Sequence, residues 1–163
     1  MSESFGKQKE MNDRKHLKRL GGVWENHPRY FITTCVQNRK NLLATPEVHD
    51  VLRKHWAKSF DLYGWAIGSY VIMPDHVHFF CTDAEGATPL SRMIGSWKQW
   101  SAKELCLLLS IKAPVWQKEF FDHLLRSDES YSEKWAYVRQ NPVRAGLVAN
   151  ADDWAFAGHI DYA

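Results

Sequence analysis

Tyr70-Val-Ile-Met-Pro-Asp-His-Val-His-Phe-Phe-Cys81 decides how the rest of this chain is arranged. Two runs of β-branched and aromatic residues flank a Pro-Asp break, which predicts strand, tight connection, strand. Along a strand, residues two apart share a face. His76 and His78 therefore project side by side, while Val77 and Phe79 point the other way into a core. Two neutral imidazoles on one rigid strand make a candidate pair of ligands for a divalent metal. The same His-Val-His spacing also occurs in strands that bind no metal, so the pair alone leaves both readings open.

Working outward, Tyr30–Gln37 is β-branched and reads as a strand. Thr45-Pro46 combines a capping threonine with proline in the first turn, predicting a helix that runs to Tyr63 and stops at Gly64. Strands follow at Trp65–Met73 and His76–Thr82. Thr88-Pro89 repeats the helix start, and Leu90, Met93, Ile94 and Trp97 form an apolar stripe with Arg92, Lys98 and Lys103 off it. Val115–Gln117 reads as a short strand, and a last helix carries Tyr137. This order predicts an α+β fold, a ferredoxin-like split βαβ antiparallel sheet with helices on one face. The His-Val-His strand is then central, and the Tyr137 helix lies across the exposed face.

A chain of 163 residues suits one domain with a proper core. We divide it into a polar, basic N-terminal arm (residues 1–28, with Lys15, Lys18 and Arg19) and a single domain (29–163). The formal net charge is only +2 with eight tryptophans, and the sequence pI is about 8.4. Duplex binding by charge alone calls for a more basic protein. Single strands need less charge, because stacking on aromatics contributes about 1–3 kcal/mol per base. Cys35, Cys81 and Cys106 are odd in number and lack a CxxC pairing, which argues against a disulfide framework or zinc knuckle and fits a reducing cytoplasm. No stretch has the length or apolarity of a membrane span or a secretory leader, so the expectation is a soluble cytoplasmic protein with no membrane partner.

Downstream, Asp128–Val148 reads DESYSEKWAYVRQNPVRAGLV. Tyr131, Trp135, Tyr137 and Val138 recur at roughly helical spacing, and Pro142 disfavours helix at Asn141, so the helix ends there. Tyr137 and Asn141 are four apart and share a face across its last turn. An ordinary Asn-Pro helix stop beside a half-buried aromatic fits this spacing equally well.

Three motifs, MPDHVHFF, WQKEFFDHLLR and YVRQNPVRAGLV, stand in this order and resemble the REP-associated tyrosine transposases. These belong to the IS200-like HUH single-strand transposases that use one catalytic tyrosine. The resemblance spans most of the chain, from about Tyr30 to Val148; family members more often carry Asn where this chain has Asp75. It implies an HUH endonuclease type of fold. It further implies Tyr137 as the nucleophile, forming a 5′-phosphotyrosine, and a Mg or Mn ion held by His76, His78 and the Asn141 carbonyl. The implied partner is single-stranded DNA with a REP-like hairpin, bound by a monomer or a homodimer. Lys98, Arg126 and Arg144 are candidate DNA-phosphate contacts, although a solvated face explains any one of them. His123, in the second motif, is either an accessory proton or phosphate contact or a structural hydrogen-bonder. Trp97 and Trp100 read as core. A domesticated hairpin-binding protein without strand transfer is the alternative. A zinc hydrolase on His76, His78 and His123 is a weaker one, for want of a carboxylate base at suitable spacing.

Overall fold

The computed structural model describes residues 28–163, so the expected arm lies outside the described residues except for Pro28. Five strands form one antiparallel sheet: β1 (Arg29–Cys35), β2 (Trp65–Ile72), β3 (His76–Asp83), β4 (Phe121–Leu125) and β5 (Ala157–His159), in the order β4-β1-β3-β2-β5. β3 is inserted between β1 and β2 and pairs antiparallel with both. That insertion is the split βαβ arrangement, and it puts the His-Val-His strand at the centre as expected.

The β1-to-β2 crossover begins as the sequence predicts. Thr45 caps α1 (Pro46–Ala57) by accepting from the Val48 amide at 3.3 Å, with Pro46 in the first turn. The expected single helix to Tyr63 is interrupted at Lys58, whose N–H bonds the His55 carbonyl only three residues back (3.3 Å). A short α2 (Ser59–Tyr63) completes the crossover, and Gly64 closes it at φ +77°, a conformation that suits glycine. From β3 the chain enters α3 (Leu90–Leu109).

α1 and α3 pack on one face of the sheet over Ile32, Ile67, Val77 and Phe79, all fully buried. Trp56 of α1 stacks on Trp97 of α3 with ring centroids 5.3 Å apart and planes 1° from parallel, and both meet Phe79. Burying side chains of this size contributes about 1.5–3 kcal/mol each, so this layer supplies much of the fold's stability. Trp97 is core, as its place on the stripe predicts, whereas Trp100 is half exposed with Lys103 over its ring.

The opposite face carries Phe31, Val71 and Phe80 beneath α4 (Asp128–Val138), which contributes Tyr131, Trp135 and Val138. Ser127 caps α4 by accepting from the Ser130 amide at 3.1 Å. The helix ends at Val138, and Asn141 opens a separate turn, α5 (Asn141–Arg144).

Two strand expectations change. Val115–Gln117 makes only an isolated bridge, Trp116 to Val36, and the strand beside β1 is Phe121–Leu125. Lys98 Nζ donates to the carbonyls of Gln117, Lys118 and Glu119 at 2.9, 3.2 and 2.8 Å. Those carbonyls belong to the stretch between the Trp116 bridge and β4, outside the β1 pairing. The second change is β5, only three residues long and too short for a periodic pattern. After it, Asp161 exchanges bonds with Ile67: its N–H donates to the Ile67 carbonyl and its carboxylate accepts from the Ile67 amide, each at 2.7 Å. Tyr162 then lies on Gly68 so closely that a Cβ at that position would sit 2.3 Å from its ring. None of the described helices is long and apolar enough to cross a membrane.

Candidate active site

The registers of β1 and β3 set His76 opposite Cys35 and His78 opposite Thr33. Both histidines therefore share a face with Phe80, the face that α4 covers. Their rings are 4.8 Å apart and 80° from coplanar. His78 stacks on Phe31 (5.2 Å, 18°), and its Nδ1 lies 2.8 Å from the Thr33 hydroxyl. His76 Nδ1 lies 2.6 Å from one oxygen of Asp75, whose other oxygen accepts from Arg39 Nε at 2.8 Å.

Burial, then electrostatic contributions from the neighbouring His76, Lys134, Arg39 and Arg144, push His78 down to about 3. It is a neutral imidazole at physiological pH, the form that ligates metals. Burial would raise the Asp75 carboxyl, but its hydrogen bond and charge contact with His76, together with Arg39, outweigh burial and hold it below the usual range.

The second half of the site comes from α4 and α5. Tyr137 is 62% exposed. The Arg144 guanidinium lies 3.9 Å from its ring centroid, donates to the Tyr137 carbonyl at 2.9 Å and also donates to Asn141 Oδ1. Tyr137, Asn141 and Arg144 thus form one cluster, although the helix breaks between the first two. Lys134, one turn before Tyr137, lies over the Phe31 ring at 4.6 Å. Phe31 in turn stacks on His78, so a continuous line of contacts joins α4 to the histidine pair. Tyr131, the other tyrosine of α4, is buried with its hydroxyl donating to Ser69 Oγ at 3.1 Å.

The remaining expected residues scatter. Lys98 stands on α3, whose apolar stripe packs on the opposite face, and three carbonyls occupy its ammonium. An ammonium has only three N–H donors, and in this structure all three meet carbonyls of residues 117–119. Arg126 is exposed just after β4. His123 is exposed on β4 opposite Phe31, on the histidine face but two strands from β3.

Three features escaped sequence reading. Arg39 is brought to Asp75 by a loop with no periodicity. Thr33 meets His78 only through register. Phe121, 66% exposed, aligns with His78 across Thr33; its alternation with His123 and Leu125 on one strand was the available signal.

Among the described residues, no three His, Cys, Asp or Glu side chains gather to hold a metal. This removes the zinc site on His76, His78 and His123. The histidine pair itself fits a metal: each Nδ1 has a protein partner, so Nε2 is the nitrogen of each ring placed to meet an ion, the arrangement in which metal-ligating histidines are usually held. A third protein donor has to be of another type, and the Asn141 amide oxygen is of a suitable one.

A family model described as Transposase IS200 like matches residues 25–140. A REP-associated tyrosine transposase of Escherichia coli (strain K12) is 27% identical over 141 residues, covering 84% of this chain and 76% of that one. The solved structure of a REP-associated tyrosine transposase bound to a REP hairpin superposes with a TM-score of 0.66 at 27% identity, over 80% of this chain and 75% of that one. A crystal structure from Deinococcus radiodurans, 16% identical, gives 0.53 over 72% of this chain and 92% of that one and shares the fold. Since the family match takes in the β1–β4 sheet, both histidines and Tyr137, the chain belongs to the IS200-like transposase family.

Proposed function

We propose that this protein is a transposase that nicks and rejoins single-stranded DNA beside hairpin-forming, REP-like repeats, with Tyr137 as nucleophile. The observation that carries the reading is the line of contacts on one face of the sheet. It runs from the His76–His78 pair through Phe31 and Lys134 to the helix bearing an exposed tyrosine. The relative bound to a REP hairpin supports the choice of DNA.

In the reaction, the Tyr137 phenolic oxygen attacks phosphorus and loses its proton to solvent. The bond from phosphorus to the 3′ oxygen breaks, and that oxygen leaves as a hydroxyl after taking up a proton. The 5′ phosphoryl group stays on Tyr137. Because one phosphate ester replaces another, a 3′ hydroxyl from a second end can reverse the step without ATP. Arg144 holds the Tyr137 ring and the Asn141 amide in one cluster, and its positive charge suits the phosphate that must lie there. His76, His78 and Asn141 would hold a divalent ion, magnesium or manganese, which when bound polarises the phosphoryl oxygens and orients the strand. Histidine nitrogen with amide oxygen suits those ions when water and phosphate complete the shell. Arg126 and Arg144 are the phosphate contacts, and His123 an accessory contact near the strand. The setting is cytoplasmic, with a monomer or a homodimer at work.

Incubating the protein with labelled hairpin oligonucleotides and Mn²⁺ gives a DNA adduct that survives denaturation. Absence of any adduct across flanking sequences, with tight hairpin binding retained, would favour a hairpin-binding protein without strand transfer.

A further inference from the structure

We propose that Arg39 and Asp75 are positioning residues for His76, fixing which ring nitrogen faces the metal. The inference rests on the reading of His76 and His78 as ligands.

An ionised carboxylate can only accept hydrogen bonds. Asp75 Oδ1, at 2.6 Å from His76 Nδ1, therefore puts a proton on Nδ1 and leaves the Nε2 lone pair as the donor. His78 is held differently. Its Nδ1 partner is the Thr33 hydroxyl at 2.8 Å, which can donate or accept, so that bond does not choose a tautomer. His76 is thus the ligand whose donor atom is set before a metal arrives.

The carboxylate is itself held. Arg39 Nε donates to Asp75 Oδ2 at 2.8 Å, and Arg39 Nη1 reaches Cys35 Sγ at 2.7 Å. Cys35 stands opposite His76 in the sheet, so the arginine spans from the neighbouring strand to the turn that carries the histidine. The loop pays for this placement in backbone conformation. Asn38 and Arg39 have φ of +57° and +53°, a left-handed pair that L residues seldom adopt and that persists where surroundings enforce it. Backbone bonds supply the enforcement: the Val36 amide donates to the Asp75 carbonyl at 2.9 Å, and Leu42 and Leu43 donate to the Pro74 carbonyl at 2.8 and 2.9 Å. The loop over residues 36–43 is thereby stapled to the turn before His76.

The Arg39–Asp75 pair is too exposed for its charge attraction to matter much to folding; Arg39 is 52% and Asp75 21% exposed. Orientation of a ligand is the property that such partners do change, typically about 10–100-fold in metal affinity.

The test is a Mn²⁺ titration of the metal-free chain without DNA, followed by electron paramagnetic resonance, with metal-free melting run in parallel. Asp75→Ala should weaken Mn²⁺ binding by about 10–100-fold while the melting temperature stays near that of the parent. Arg39→Ala should weaken it by a smaller factor. The double variant should bind no worse than Asp75→Ala alone, because Arg39 acts through the carboxylate. Asp75→Asn, which keeps an acceptor for the Nδ1 proton, should restore most of the affinity lost in the alanine variant. Parent-like Mn²⁺ affinity in Asp75→Ala, or independent losses that multiply in the double variant, would overturn the proposal. His78→Ala separates the two levels of inference. If the parent binds no Mn²⁺ or His78→Ala leaves binding intact, the ligand assignment has failed; if His78→Ala abolishes binding and Asp75→Ala does not alter it, only the positioning relay has failed.

Discussion

On one face of the sheet, Ile32, Ile67 and Phe79 are sealed beneath the stacked Trp56 and Trp97. On the other, Tyr131 meets Phe80 edge-on and Lys134 lies over Phe31, but the next positions along those strands are Thr33, His78 and His76, which stay partly open. One backbone serves both purposes, because alternate residues of β3 face opposite layers. Val77 and Phe79 anchor the strand from below and hold the histidines on a platform that does not rely on the site's own contacts. The expected separation is that damage to the open face stops chemistry with little loss of stability, and damage to the sealed face does the reverse.

The largest effect should come from Tyr137→Phe. The covalent DNA adduct should disappear from denaturing gels, while hairpin affinity and melting temperature change little, since the side chain is mostly exposed. An adduct that persists would break the assignment, and Tyr131 is a poor substitute because it is buried against Ser69. Next, His78→Ala should remove Mn²⁺ binding and cleavage together, at a cost to metal-free stability of about 1 kcal/mol for the lost stacking on Phe31. Collapse of the metal-free fold would mean that His78 belongs to the core and would erase the contrast between faces. On the sealed side, Trp56→Ala should destabilise by about 3–5 kcal/mol in urea unfolding, from lost burial and the cavity left against Trp97. The folded fraction should still form the adduct.

Two smaller effects sharpen the comparison. Phe121→Ala should weaken binding to the single strand beside a hairpin by about 1–3 kcal/mol, if a base stacks on this exposed ring, and leave affinity for a blunt duplex stem unchanged. Glu104 tests the helical layer. Hydrogen bonding from Lys54, then from His55, holds its carboxyl below the ordinary range despite an opposing contribution from burial. A carboxyl depressed in the folded state stabilises above its unfolded value, about 4.3, and that stabilisation is lost as pH falls through the folded value. Glu104→Gln should therefore narrow the gap between urea midpoints measured at pH 7 and pH 3, by a small amount because solvent reaches the Lys54–Glu104 pair.

The three inner strands were legible because they are short runs of β-branched and aromatic residues separated by proline and glycine punctuation, and the first crossover because Thr45-Pro46 is a local helix start. The central place of β3 followed from the order of those elements. Less legible were features made by long-range geometry. The single bridge at Trp116 does not extend, and the carbonyls of residues 117–119 turn instead to Lys98, nearly twenty residues earlier in the chain. The charge of Lys98 suggested a place for it among the DNA contacts but gave no sign of this grip on the neighbouring backbone. The Tyr137–Asn141 spacing did foreshadow a shared cluster, but not the helix break between them or the arginine that bridges it. Arg39 was out of reach, since Asn38 beside it favours a left-handed conformation but nothing nearby signals that the turn is aimed at Asp75.

The contact between Gly68 and Tyr162 has a consequence for how this protein can change over generations. The ring occupies the volume that any side chain at position 68 would need, so the two sites are not free to vary alone. A lineage that acquires alanine at 68 must first lose the aromatic at 162 or move the tail that carries it. Either step takes a buried ring out of the cluster that includes Ala66 and Val71. Among related sequences the pair should therefore drift in concert, with glycine at 68 wherever a large ring stands at 162, and a genuine exception would mark a descendant whose tail takes another path.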